Sequence, residues 1–238
     1  MNCKNCDTQV NQNYCPNCGQ EAKVRRIDGQ YIIQEVVSIL NFERGILFTV
    51  KELIIRPGEN VRNFISENRI RLVKPVVFII ATSLIYSLIN HFFQIEDGYV
   101  KFSEDTQSTT GYIFQWIQDH YGYANIIMGI FIAFWTKLFF RKYDYNFFEI
   151  LILLCFVMGI GMLIYSVFAI FQGLTDIDLM QIAGILGFVY AAWGIGQFFD
   201  KRKFSNYVKA FFAYFLGFVT FSIVAVLLGN LIDIISKQ

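Results

Sequence analysis

The sequence is short of charged residues and of proline, and each shortage excludes a class of structure. Only 16% of the 238 residues are charged, whereas 55% are hydrophobic. A soluble domain carries about 25% charged residues, so the composition excludes an ordinary soluble protein and predicts an integral membrane protein. The three prolines all lie outside the long apolar runs. The broken helices of many transporters are therefore not indicated.

Charges within the apolar runs and export signals are also missing. No ionisable residue lies in the middle of a run, which weakens an ion-coupled transporter or an intramembrane protease and leaves transport of a neutral solute open. The first residues are polar and cysteine-rich, so we expect no secretory signal peptide. The sequence has neither a glycine-rich phosphate loop nor a nucleophile elbow, and we predict that the protein is not an enzyme.

Five long apolar runs predict five transmembrane helices. Each run approaches the roughly 20 residues that cross about 30 Å of hydrocarbon as a helix. The second run is the shortest, and it would gain length by including Tyr121 to Tyr123. The predicted fold class is therefore an all-α polytopic membrane protein. Its predicted spans are residues 76–93, 124–140, 147–171, 179–199 and 207–232.

Lysine and arginine are distributed unequally along the chain. Eighteen of the twenty bases either precede the first run or surround the loops after the second and fourth runs, and the other two are Lys101 and Lys237. Loops rich in these residues stay in the cytoplasm. We therefore expect a cytoplasmic N-terminus and an external C-terminus. Residues 94–123 would form a polar outer loop with an exposed, flexible centre.

Two C-x-x-C pairs lie within the first twenty residues, at Cys3, Cys6, Cys15 and Cys18. The two-residue spacer lets both thiolates of a pair face one ion, and a second pair completes the tetrahedron of a structural zinc site. The short gap between the pairs predicts a miniature zinc ribbon in residues 1–22 holding one zinc ion. The alternatives are iron, redox use and disulfides, and the predicted cytoplasmic placement disfavours disulfides. Cys155, in the third run, is expected to be a small buried apolar residue.

The sequence of residues 23–74 predicts helices that do not span the membrane. One has the apolar spacing of a helix face at Ile33, Val36, Val37 and Leu40. A second covers residues 46–55 and ends at a sharp corner, because Pro57 disfavours helix at Arg56 and Gly58 permits a turn. These helices either lie in the cytoplasmic membrane interface or pack on the end of the transmembrane domain, residues 75–238. We expect Arg56 to reach a carboxylate or a lipid phosphate.

Glu149 begins the third run and has two interpretations. With Asn146 it has the spacing of a capping box at a helix start, which we favour. The functional alternative makes it a partner for a basic residue such as Arg56, or a proton-binding group.

The stretch from Asn41 to Ile80, with the ribbon before it, resembles a bacterial membrane-protein family catalogued as domain-of-unknown-function family 3667. The family pattern G-hh-T-hK-L-hhRPG falls on Gly45, Thr49, Lys51, Leu53, Arg56, Pro57 and Gly58, and continues at Arg69, Lys74 and Pro75. A later element matches at Tyr145, Asn146 and Glu149, with Ile150 where the family often has His. The resemblance implies a zinc-containing protein of the bacterial inner membrane and supplies no activity. The five-span layout also loosely resembles that of Yip-type membrane-trafficking proteins.

The resemblance and the corner mark six residues as candidates for an interfacial or functional role: Arg56, Pro57, Gly58, Arg69, Lys74 and Glu149. Our leading hypothesis is a non-enzymatic protein whose zinc-stabilised cytoplasmic platform serves a protein partner or membrane organisation. The ribbon holds few bases, so nucleic acid is not an expected partner. The alternative is a transporter or channel component for a small neutral or lipid-like solute, and a membrane enzyme comes third.

Overall fold

The computed structural model describes residues 2, 3, 6, 8, 9, 11, 15–18, 45–69, 71–93, 95, 109–175 and 177–236. The chain divides into two compact units, Met1–Asn41 and Phe42–Gln238. In the described part of the first unit, Asn2 and Gln9 form an isolated antiparallel bridge. The predicted helix that contains Ile33 and Leu40 lies outside the described residues.

The described part of the second unit contains eight helices and no strand. They are α1 (Ile46–Ile55), α2 (Pro57–Ser66), α3 (Pro75–Phe93), α4 (Thr109–Asp119), α5 (Tyr121–Phe139), α6 (Phe147–Thr175), α7 (Met180–Asp200) and α8 (Phe204–Ser236). Five of them, α3, α5, α6, α7 and α8, are long and apolar enough to cross a membrane. The predicted all-α fold is confirmed.

Helix α4 corrects the expectation that residues 94–123 form a polar loop. Its N-terminus is capped by α8, since the Thr109 amide donates to Asp233 at 3.1 Å (Oδ1) and 3.2 Å (Oδ2) and the Thr109 hydroxyl donates to the same carboxylate. A helix leaves its first amides without partners, and here a distant carboxylate satisfies one of them. Helix α5 then begins at Tyr121, the residue that the short second run would gain by extension.

The core lies around α6. Phe156 of α6 packs edge-on against Phe64 of α2 at a ring-centroid distance of 5.3 Å, and its ring is tilted against that of Phe78 of α3 at 5.7 Å. Helices α3 and α6 approach so closely that a Cβ at Gly159 would lie 2.7 Å from the Phe78 ring. Large apolar side chains also cover the outer surface, Leu88 among them. Such a surface fits contact with lipid rather than water.

Helices α1 and α2 pack against α6 and α7. Leu53 and Val61 are fully buried there, and the Tyr190 hydroxyl of α7 donates to the Leu53 carbonyl at 3.0 Å. Helices α1 and α2 therefore pack on the helix bundle, and their placement in the membrane interface stays a prediction.

The two short basic loops meet at the same end of the bundle as α1 and α2. The Asn206 amide of α8 donates at 2.9 Å to the Tyr143 hydroxyl in the loop after α5. The loop after α7 brings Lys201 Nζ to within 3.5 Å of Glu59 Oε2 on α2. The segments that carry most of the described bases are thereby gathered on one side.

Candidate metal centre and the Arg-Pro-Gly corner

The four N-terminal cysteines converge on one point. Their Sγ atoms all lie within 4.8 Å of one another, and the 3.5 Å contacts join Cys3 to Cys18 and Cys6 to Cys15. Each of these contacts links the first C-x-x-C pair to the second, so the two pairs face each other. Local backbone geometry holds the first pair: the Cys3 amide donates to the Thr8 carbonyl at 2.9 Å, and Asn2 bridges to Gln9.

The sulfur arrangement fits a tetrahedral metal ion. With metal–sulfur bonds of about 2.3 Å, a tetrahedral zinc site needs sulfurs about 3.8 Å apart. The 3.5 Å contacts and the 4.8 Å limit bracket that separation, and both contacts are too long for a disulfide bond of about 2.05 Å. Cys3 and Cys15 are buried while Cys18 is exposed, so the cluster lies at the surface with two ligands shielded. The residues therefore can hold one metal ion.

Contacts with Thr8 lower the pKa of the Cys6 thiol. The Cys6 Sγ lies 3.3 Å from the Thr8 hydroxyl oxygen. Contacts with the side chain and then the backbone of Thr8 lower the pKa of Cys6 to about 6. Because the thiolate is the metal ligand, a lowered pKa favours the binding form at neutral pH.

The predicted corner lies between α1 and α2. Arg56 has φ −145° and ψ 67°. Its amide donates to the Glu52 carbonyl in the last hydrogen bond of α1, and Pro57 occupies the first position of α2. The Arg56 guanidinium reaches a carboxylate, as expected, at 4.0 Å from Glu59, which lies in the first turn of α2. It is 65% exposed there, so this pair contributes little to stability.

Gly58 places the corner directly on the backbone of α7. Its amide donates to Gln197 Oε1 at 2.8 Å in a buried hydrogen bond. A Cβ at this position would lie 2.2 Å from the backbone nitrogen of Phe198. Pro57 packs beside it against Gly194. The glycine is therefore required by this close approach of two backbones, while the turn itself is at Arg56, because Gly58 already lies within α2.

Two neighbouring residues have structural roles that the sequence analysis did not assign. Arg62 Nη1 donates to the Phe198 carbonyl at 3.1 Å and so satisfies an acceptor at the end of α7. Thr49, fully buried, donates to the Gly45 carbonyl at 3.0 Å and accepts from the Val73 amide at 3.1 Å. Thr49 thus joins α1 to the segment that leads into α3.

Glu149 forms the capping box. Its amide donates to Asn146 Oδ1 at 2.9 Å, and the Asn146 amide donates to Glu149 Oε2 at 2.8 Å. The reciprocal pair satisfies two amides at the start of α6. In the described residues the ion partner of Arg56 is Glu59 rather than Glu149. Lys74 is exposed just before α3, and its carbonyl accepts the Phe78 amide.

Two of the candidate residues share a cavity. Arg69 and Glu149 both line a space of about 650 Å³ between α2, α3, α5 and α6. Asn125, which the sequence analysis did not single out, also lines it and is 5% exposed. Its Nδ2 has no hydrogen-bond partner in the part of the chain that the structure describes. An unpaired buried amide costs about 1–3 kcal/mol of stability, so Asn125 joins the candidate functional residues.

Comparison with known proteins supports the resemblance over one segment. A family model described as "Protein of unknown function (DUF3667)" matches residues 43–87, which hold α1, α2 and the first part of α3. No curated protein and no solved structure matches the chain. The corner is thus inside the matched segment, and the cysteine cluster is outside it.

Proposed function

We propose that this chain is a non-enzymatic, multi-pass protein of a bacterial inner membrane. One zinc ion held by Cys3, Cys6, Cys15 and Cys18 stabilises a small cytoplasmic platform that binds a protein partner. The observation that carries the proposal is the convergence of all four sulfurs within 4.8 Å. Four protein ligands fill a tetrahedral site, so the ion is structural and has no position for water or substrate.

A metal ion suits a segment of this size. Short segments bury too little apolar surface to fold alone, and binding of a structural zinc ion supplies folding free energy. The buried apolar cluster among the described residues of this unit consists of cysteines alone, with Cys3 and Cys15 at its centre. The zinc ion would thus give the segment a defined surface.

The proposed orientation rests on the charges gathered at one end of the bundle. The loops with Arg141, Lys142 and Lys201 lie at the same end as α1 and α2, and basic segments stay in the cytoplasm. A reporter fused after Lys203 should read cytoplasmic, and one appended after Gln238 should read external. A cytoplasmic reading at Gln238 would contradict the five-span arrangement.

Partner binding is tested by crosslinking in intact cells. We expect a crosslinked partner that is lost from the Cys3→Ser/Cys18→Ser variant and retained by Cys155→Ala, which removes a cysteine outside the cluster. Loss of the partner in both variants, or in neither, would contradict a role for the metal-stabilised surface.

The cavity favours a second candidate, the handling of a lipid-like or small neutral solute. Its lining is mostly apolar, and the buried Asn125 amide among the lining residues is uncharged. Solute handling predicts that changes at Asn125 alter function while the Cys3→Ser/Cys18→Ser variant stays active. The platform predicts the reverse.

A further inference from the structure

The short helix α4 has one buried face and one exposed aromatic face. Phe114 is buried, and with Ile117 it lines a small space between α5 and α8. Tyr112 is 62% exposed and Trp116, one helical turn further on, is 44% exposed. The helix contains one acidic residue, Asp119, and no lysine or arginine. Large aromatic rings on a nearly uncharged surface are typical of a face that contacts something other than bulk water.

The ring of Trp116 is held in place by His120, the residue between α4 and α5. The two rings stack with centroids 4.9 Å apart and an angle of 15° between their planes. The Nδ1 atom of His120 lies 3.1 Å from the Trp116 carbonyl oxygen. Tyr123 in the first turn of α5 is exposed as well. Exposed aromatic side chains thus continue from α4 into the start of α5.

The two ends of α4 lie at about the same level along the bundle. Helices α5 and α8 run antiparallel, and a Cβ at Gly217 of α8 would lie 2.5 Å from the Ile132 Cα of α5. From that contact, the start of α5 at Tyr121 is eleven residues away, about 17 Å, and Gly229 of α8 is twelve residues away in the same direction, about 18 Å. Helix α4 ends next to the start of α5. It begins on Gly229, where a Cβ would lie 2.7 Å from the Thr110 Cα.

That level corresponds to the edge of the hydrocarbon core. Helix α5 has 19 residues, about 29 Å, so crossing roughly 30 Å of hydrocarbon takes its whole length. In α8, Lys209 is the last basic residue, and the twenty residues from there to Gly229 also cover about 30 Å. Both supports of α4 therefore reach the membrane surface opposite to α1 and α2.

We propose that α4 lies in the phospholipid headgroup region on that side of the membrane, with Tyr112 and Trp116 in contact with lipid. Tyrosine and tryptophan are enriched at this depth because each has an apolar body and a polar group at its edge. Helix α4 has no basic residue, so burial of aromatic surface holds it there rather than attraction to anionic lipid. The inference shares with the proposed function only the premise that α5 and α8 span the membrane.

The test is the fluorescence of Trp116 in the full chain, reconstituted in phospholipid nanodiscs that leave both membrane faces in contact with water. The chain has three tryptophans, and Trp135→Phe/Trp193→Phe leaves Trp116 as the single emitter. The quenchers are phospholipids brominated near the top of the acyl chains, phospholipids brominated near the chain ends, and iodide in the water. Trp116 should be quenched more by the shallow bromine than by the deep bromine, and less by iodide than free tryptophan is.

A matched control reports the centre of the bilayer. Leu84 is exposed and lies nine residues from each end of α3. A variant whose single tryptophan comes from Leu84→Trp should show the reverse order, with stronger quenching by the deep bromine. Trp116→Phe alone, in the otherwise unaltered chain, should remove the shallow part of the total quenching. This single change keeps the test decisive if the multiple variant does not fold.

The orientation of α4 is tested by moving the emitter along the helix. Tyr112→Trp, combined with replacement of the three native tryptophans by Phe, places the ring four residues earlier on the same face. A helix lying in the headgroup region should give this variant the same preference for shallow bromine as Trp116. A helix projecting from the membrane would carry the ring about 6 Å further from lipid, and stronger iodide quenching of this variant would overturn the proposal.

Two results at Trp116 would also overturn the proposal and leave the proposed function intact. Iodide quenching equal to that of free tryptophan, with no effect of either brominated lipid, would place α4 in water. Protection from all three quenchers would show that protein, such as a second copy of this chain, covers the aromatic face. A Leu84→Trp control that does not respond to the deep bromine would contradict the membrane spans themselves, and with them both proposals.

Discussion

Replacing Gly58 by Ala should detach α2 from α7. The added Cβ would lie 2.2 Å from Phe198 N, 2.5 Å from Gln197 C and 2.7 Å from Phe198 Cα. All three are backbone atoms of α7, so relief requires movement of a whole helix. Overpacking of this kind costs typically about 1–3 kcal/mol. Movement would also break the 2.8 Å hydrogen bond from the Gly58 amide to Gln197, which is 9% exposed, at a further cost of about 1–3 kcal/mol.

The expected total is therefore about 2–6 kcal/mol against the docking of α2, with the bundle of long helices intact. The assay is limited trypsin digestion of purified protein in detergent, followed at Arg62 and Arg69, together with thermal unfolding. Undocking should accelerate cleavage at both sites and lower the melting temperature.

The matched control is Gly161→Ala in α6. A Cβ there would meet nothing within 4 Å, and alanine is the better helix former, so this variant should be neutral or slightly stabilising. If Gly58→Ala were cleaved as slowly as Gly161→Ala and melted at the same temperature, the backbone contact between α2 and α7 would be refuted.

Three other contacts give graded expectations. Arg62→Ala, which removes the donor to the end of α7, should lower the free energy of unfolding by about 1 kcal/mol. Arg56→Ala removes only an exposed ion pair and should change that free energy by less than about 0.5 kcal/mol. Equal losses of the two variants in chemical denaturation would contradict this order. Glu149→Ala should cost about 1 kcal/mol through the lost capping box and Glu149→Gln much less, as thermal unfolding would show. Asp233→Ala should speed amide hydrogen exchange at the start of α4, and unchanged protection there would contradict the cap that it offers to Thr109.

Features that depend on nearby residues could be predicted from the sequence. The five long helices follow from the length and apolarity of their runs, and the capping box follows from the spacing of Asn146 and Glu149. The corner follows from the limit that Pro57 sets on the conformation of Arg56. The convergence of the cysteines follows from two short spacers. Each of these needs only residues that are neighbours along the chain.

Features that depend on distant residues could not be predicted in this way. The cap of α4 comes from Asp233, which lies 124 positions after Thr109. Gly58 looks like a turn residue, and its contact with the α7 backbone appears only when the helices pack. Asn125 is a neutral residue within an apolar run, and nothing local indicates that its amide is unpaired inside a cavity.

The most direct test of the central claim is elemental analysis of the full chain, purified under reducing conditions without chelator. The account predicts about one zinc ion per chain, which is lost in Cys3→Ser/Cys18→Ser and retained in Cys155→Ala. The helix content of the variant that loses the ion should barely change, because the long helices belong to the other compact unit. Protein that holds no metal, or that holds iron in place of zinc, would contradict it.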